Sequence, residues 1–192
     1  MKNNVKMLLV WVLVSFMFTM TFGAIYLAQQ QNYRLSANGQ PFQIALDTAI
    51  KLNAGASANE VLPTGSVDIK QSLSPVVMIY GKDRHLLATN ALLNGKAPVF
   101  PSGVLANVTP NGSRVTWQPE AGVRMASVTV SYSDGYVVAA QSLRETETLI
   151  DTLGSLVLLM WAFSVIAALI VVYVGGKVFW FQKSQNTAER KK

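Results

Sequence analysis

Two apolar runs without a single charge limit what this chain can fold into. The first, MLLVWVLVSFMFTMTFGAIYLA, covers residues 7–28, and the second, LGSLVLLMWAFSVIAALIVVYVGG, covers residues 153–176. No charged side chain lies between Lys6 and Arg34, and none between Asp151 and Lys177. A helix needs about 20 apolar residues to cross the hydrocarbon of a bilayer, and both runs reach that length. Inside hydrocarbon every backbone N–H and C=O must be paired within its own segment, so a lone run crosses as a helix. The high apolar share of the 192 residues, 51% against 14% charged, is concentrated in these runs.

Charge sets the expected orientation. Lys2 and Lys6 precede the first run. Lys177, Lys183, Arg190, Lys191 and Lys192 follow the second, against Glu189 alone. Between the runs, Lys and Arg balance Asp and Glu, so the formal +6 divides into +2, 0 and +4. Short basic flanks stay in the cytoplasm. The expectation is a cytoplasmic N-terminus (1–6), a span (7–28), an extracytoplasmic domain (29–152), a second span (153–176) and a basic cytoplasmic tail (177–192). The first run is longer than the apolar core of a removable signal, and its exit, IYLAQQ, puts Tyr26 where a small residue is wanted. It reads as an uncleaved anchor in the cell membrane. The basic pI belongs to the tails and signals no nucleic-acid partner. No Cys is present, which excludes disulfides and thiolate metal sites. An exported domain without disulfides suits a bacterial envelope.

The middle of the chain reads as mixed helix and strand. Phe42, Ala45, Leu46, Ala49, Ile50 and Leu52 form one helical stripe that stops near Asn53 and Gly55. A loop rich in Pro63 and Gly65 follows. PVVMIYG (75–81) reads as a buried strand and HLLATN (85–90) as its hairpin partner. Ser102 reads as the N-cap of a short helix reaching Val108. RVTWQPE (114–120), VRMASVTVSY (123–132) and YVVAAQSL (136–143) read as three antiparallel strands. Asp134–Gly135 in the last turn would supply the positive φ that tight hairpins need.

The order of helix, two strands, small helix and three strands resembles the extracytoplasmic PAS-like and Cache-like input domains of bacterial sensor kinases. The resemblance is carried by PVVMIYGKDRHLLATN, PSGVL, RVTWQPEAGVRMASVTV and DGYVVAAQSLRETE. It is closer still to small two-span bacterial membrane proteins that lack the kinase. It implies an α+β class, with a PAS/Cache-like antiparallel sheet domain inserted between two transmembrane helices. Only residues 177–192 follow the second run, and His85, the sole His, falls in the central domain, so no autokinase is expected.

The last strand leads directly into SLRETETLIDTL. Ser142 with Glu145 three residues later has the form of a capping box. Leu143, Ile150 and Leu153 share a stripe, and no Pro interrupts. One helix from Ser142 to Gly176 is expected, with Gly154 its weak point at about 1 kcal/mol relative to Ala.

Catalytic signatures are missing: the sequence has no Gly-rich phosphate loop, no GxSxG and no His pair. Ser102 reads as a cap and His85 as an exposed turn residue that could titrate near neutrality. Asn107 and Asn111 match the short glycosylation triplet and carry little weight. Neither enzyme activity, nor a metal, nor a cofactor is expected. Trp117, Arg124, Tyr132 and Tyr136 come from adjacent strands and form the candidate ligand site, because an Arg between aromatics can hold a small carboxylate through its planar fork. The alternative is a core Trp117 and a solvated Arg124. Ser164 and Ala168 form a small-xxx-small pair that would permit a homodimer through the second span. Phe179, Trp180 and Phe181, between Lys177 and Lys183, read as an interfacial anchor.

The reading is a non-enzymatic integral membrane protein whose outer domain binds a small ligand or a partner protein of the membrane or envelope and relays this through its helices. The alternative is a structural or assembly subunit of a membrane complex with no small ligand. A void beside Trp117 or Arg124 would favour sensing, and a filled core would favour docking.

Overall fold

The computed structural model describes the backbone of residues 2–189 and the side chains of residues 4–179. Lys2, Lys183, Trp180 and Phe181, together with Arg190, Lys191 and Lys192, therefore lie outside the described side chains. The chain divides into two compact units, Met1–Gln30 with Ile150–Lys192, and Gln31–Leu149.

The first unit is built from α1 (Lys2–Ser36) and the greater part of α4 (Arg144–Glu189). Both helices are long and apolar enough to cross a membrane. Their apolar side chains point outward in every direction. Leu13, Met17, Leu159 and Phe163 are each 63–76% exposed, as suits a helix whose solvent is hydrocarbon. In hydrocarbon, apolar contact alone would give such helices no reason to pair, and specific bonds and close packing would have to do it. Trp11 donates its indole N–H to the Val165 carbonyl at 3.1 Å, and Trp161 donates to Thr19 Oγ1 at 2.9 Å. Gly154 explains itself here. A Cβ at that position would stand 3.3 Å from Cε2 of Tyr26, so the missing side chain admits the ring. The residue that costs helix propensity is the one that lets the two helices approach.

The second unit holds α2 (Gly39–Asn53), β1 (Val67–Asp68), β2 (Val76–Gly81), β3 (Leu86–Thr89), β4 (Ala91–Leu92), α3 (Ser102–Ala106), β5 (Ser113–Glu120), β6 (Val123–Tyr132) and β7 (Gly135–Ser142). Five strands form one antiparallel sheet in the order β3-β2-β7-β6-β5. The first of these strands in the chain thus lies beside the last. Every residue of β2 is buried, which is why its sequence is a continuous apolar run rather than an alternation: both sheet faces are covered. On one face α2 lays Ala45 and Ala49 against Val77, Ile79, Val128, Val130, Val137 and Ala139. On the other, Ile69, Ala91, Phe100 and Leu105 cover Met78, Trp117, Met125 and Val138. The short β1 and β4, in stretches that do not read as strands, pair in parallel beside this cover.

Three local readings are corrected. The α2 stripe is narrower than its sequence implies: Leu46 is 40% and Ile50 57% exposed. Alanines let the helix axis come close to the sheet, and that choice turns the two larger residues outward. Ser102 is not a cap. Pro101, in extended conformation, holds the N-cap position without a side-chain bond, and the helix ends at Ala106, where Asn107 Nδ2 donates to the Gly103 carbonyl at 2.9 Å. The Ser133–Asp134 turn needs no positive φ at Asp134 or Gly135. Gly135 is required by proximity instead, since a Cβ there would fall 2.0 Å from the Tyr80 carbonyl oxygen of β2.

Candidate functional site

The four residues expected to form a ligand site do not converge. Successive side chains of a strand point to opposite faces. Trp117 pairs in register with Met125 and sits in the core opposite α2, only 4% exposed, its ring edge-on to Phe100 with centroids 5.3 Å apart. Tyr136 packs on that same face. Tyr132 packs on the face that α2 covers, and Arg124 has the same parity along β6. The expectation of one Arg held between aromatics is corrected by this division. Burial, and secondly the negative charge of Asp134, push the Tyr132 hydroxyl above its ordinary pKa. Deeper in the core, burial pushes Tyr80 up to about 12.

Arg124 has a different partner. Its guanidinium pairs with Glu147 in the first turns of α4. This contact belongs to a polar cluster that ties the start of α4 to the sheet and to its covering loops. Leu143, the single residue between β7 and α4, donates its N–H to the Arg124 carbonyl at 2.8 Å, and its own carbonyl accepts the Glu147 N–H at 2.8 Å. The side chain of Leu143 is 7% exposed, so the joint is anchored in the core. Arg144 Nη2 donates to the Lys70 carbonyl at 2.5 Å. Lys70 Nζ in turn meets Glu120 Oε1 at 2.6 Å, and Asn94 Nδ2 donates to Glu120 Oε2 at 2.9 Å. The bond from Lys70, and then that from Asn94, hold the Glu120 carboxyl below the usual carboxylate range.

The joint also corrects the capping box. Ser142 is still the last residue of β7, and Leu143 occupies the position whose carbonyl opens the helix. The Ser142 hydroxyl accepts the Arg144 N–H at 3.3 Å, but Glu145 falls one place short of the reciprocal position. Glu145 and Glu147 still lie in the first turn of α4, where a negative charge meets the exposed N–H groups of the helix end favourably.

Lys70, Asn94 and Glu120 were not legible as a site. They lie in separate loops and at the end of an edge strand, and only the tertiary fold brings Lys70 and Asn94 to the Glu120 carboxylate. The one available signal was charge: Arg124 opens a strand and Glu147 opens a helix one strand later.

His85 lies exposed in the turn between β2 and β3, its N–H donating to Asp83 Oδ1 at 3.1 Å. No known protein family, curated protein or solved structure matches this chain.

Proposed function

We propose that this chain is a non-enzymatic integral membrane protein that holds a PAS/Cache-like domain outside the cytoplasmic membrane, and that docking of a partner protein on this domain is relayed through α4. The observation that carries the proposal is the joint. Strand β7 ends at Ser142 and α4 begins at Arg144, and that one helix continues through the apolar run to Glu189. A displacement of β6 or β7 would be passed to the helix through Leu143, Arg124 and Arg144 rather than lost in a linker. The five-stranded antiparallel sheet, with its helix on one face and its loops and short helix on the other, supports the PAS/Cache-like reading. The +2, 0, +4 division of charge supports cytoplasmic termini and an outer central domain.

Core packing favours a protein partner over a small ligand. Trp117, Phe100, Met78 and Met125 occupy the space between the sheet and its cover, each buried to within 4% of full enclosure. The same packing is what a purely structural or assembly subunit would have, and the relay separates the two readings.

A Gly-Gly-Ser insertion after Thr148 tests it. The expected result is a protein still present in the membrane, with a folded outer domain, that fails to complement a deletion strain. Full complementation would leave a tethered docking surface and remove the relay. Orientation is checked in intact cells with a membrane-impermeant thiol reagent: Lys96→Cys is expected to label and Lys192→Cys is not.

A further inference from the structure

The helix pair of the first unit encloses an amphipathic groove. Its volume is ≈ 360 Å³. Met7 and Leu8 of α1 face Leu169 and Val172 of α4 across it. Trp11 closes one end, fixed there by its bond to the Val165 carbonyl. At the other end stand Asn4 and Lys177. The Lys177 ammonium lies 5.2 Å from the centroid of the Tyr173 ring, which also lines the groove. Asn4 and Trp11 are two helical turns apart, about 10 Å along the axis. Close packing holds this end together, because Met7 Sδ stands 2.7 Å from where a Cβ of Gly176 would be.

We infer that this groove binds one anionic glycerophospholipid, with its headgroup phosphate at Lys177 and Asn4 and an acyl chain along Met7, Leu8, Leu169 and Val172. The inference rests on the membrane-spanning reading of α1 and α4. Three features select this occupant. The groove passes from polar at Asn4 and Lys177 to apolar at Met7, Leu8, Leu169 and Val172, the sequence of a lipid's headgroup and chain. Its polar rim offers an ammonium and an amide, both able to donate hydrogen bonds to a phosphate oxygen. The sequence near that rim carries one sign of charge only: Lys6 and Lys177 are basic, while no acidic residue precedes Asp47 and none lies between Asp151 and Glu189. Basic recesses between membrane helices are suited to anionic headgroups, and each nearby cation adds to the attraction. The Tyr173 ring holds the Lys177 ammonium at the rim, so less side-chain freedom is lost when a phosphate binds.

The test uses the full-length protein in an uncharged detergent. It is titrated with phosphatidylglycerol and with phosphatidylcholine of identical acyl chains, and bound lipid is read by native mass spectrometry. Phosphatidylglycerol is expected to be retained about fivefold better, the factor that one cation near the surface supplies. Lys177→Gln is expected to remove this preference and Lys177→Arg to keep it. Leu169→Trp, which fills the groove, is expected to lower retention of both lipids. Lys96→Gln, in the other unit, is expected to change nothing. Equal retention of the two lipids by the wild type overturns the inference, as does equal loss in Lys177→Gln and Lys96→Gln. Carbonate extraction of the membranes distinguishes the two levels. A chain released by carbonate overturns both the spanning reading and the site, whereas a chain that stays embedded without a lipid preference overturns the site alone.

Discussion

The guanidinium of Arg124, at the start of β6, is ion-paired with the carboxylate of Glu147, in the first turns of α4. The pair bridges the point at which sheet becomes helix. The two side chains are 46% and 41% exposed, so solvent screens the attraction and its stabilising value is small. A double-mutant cycle of Arg124→Ala and Glu147→Ala on the unit Gln31–Leu149 is expected to give a coupling of about 0.2–1 kcal/mol in urea unfolding. In the full-length protein the single variants are expected to weaken the proposed relay more than this stability loss accounts for, and the exchange Arg124→Glu with Glu147→Arg to restore part of it. Complementation of a deletion strain reads the difference.

Trp117 is expected to be a structural residue. Truncation to Ala removes a ring packed edge-on against Phe100 in a closed core, and a loss of about 3–5 kcal/mol is expected. Circular dichroism during urea unfolding of Gln31–Leu149 measures it. Trp117 is the only tryptophan in that unit, so its blue-shifted emission reports burial in the unsubstituted protein. Emission typical of water-exposed indole would place the ring on the surface.

The hydroxyl of Thr129 is buried without a hydrogen-bond partner, in a residue with no exposed surface. Thr129→Val keeps the shape and removes the unpaired group. The variant is expected to be more stable by about 1 kcal/mol, seen as a higher urea midpoint with an unchanged slope.

Glu120 gives the polar cluster a pH dependence of known sign. Its carboxyl is held below the ordinary range by Lys70 and then Asn94, so the folded state binds its proton less readily than the unfolded chain does. The stabilisation is complete above the unfolded value, about 4.3, and is lost as pH falls through the lower folded value. Thermal melts of Gln31–Leu149 between neutrality and strong acid are expected to decline in that window. Glu120→Gln is expected to flatten the decline by lowering the neutral value toward the acid one.

Gly154 is expected to resist enlargement. Leu at this position would displace the Tyr26 ring and part the two helices. Cysteines in place of Thr19 and Trp161 would remove the native bond there, so the helix pair is better read by cross-linking Phe22→Cys to Val157→Cys or Leu158→Cys, all of which line one groove of about 460 Å³ with Gly154. Oxidative cross-linking is expected in the otherwise unsubstituted protein and is expected to fall at least severalfold once Gly154→Leu is added.

The sequence alone determined the elements whose cause is local. The two uncharged runs can only be apolar helices. The β-branched stretch Val123–Tyr132 marks β6 to the residue, and the apolar 75–81 run marks β2 with both faces covered. The strand-to-helix change near Ser142 is also local, because acidic residues that favour a helix start follow directly on a β-rich stretch. The tertiary structure decided everything that depends on which surfaces meet. Alternation puts Trp117 and Arg124 on opposite sides only once the register of β5 on β6 is fixed, and that register is set by pairings many residues apart. Gly135 and Gly154 read as a turn residue and a weak point. Gly135 is in fact a place where another segment comes too close for a Cβ, and Gly154 one where the Tyr26 ring would have to give way slightly. Lys70, Asn94 and Glu120 carry no shared pattern in the chain, since a charge cluster is a statement about distance in space, and sequence spacing records that only within a single helix or strand.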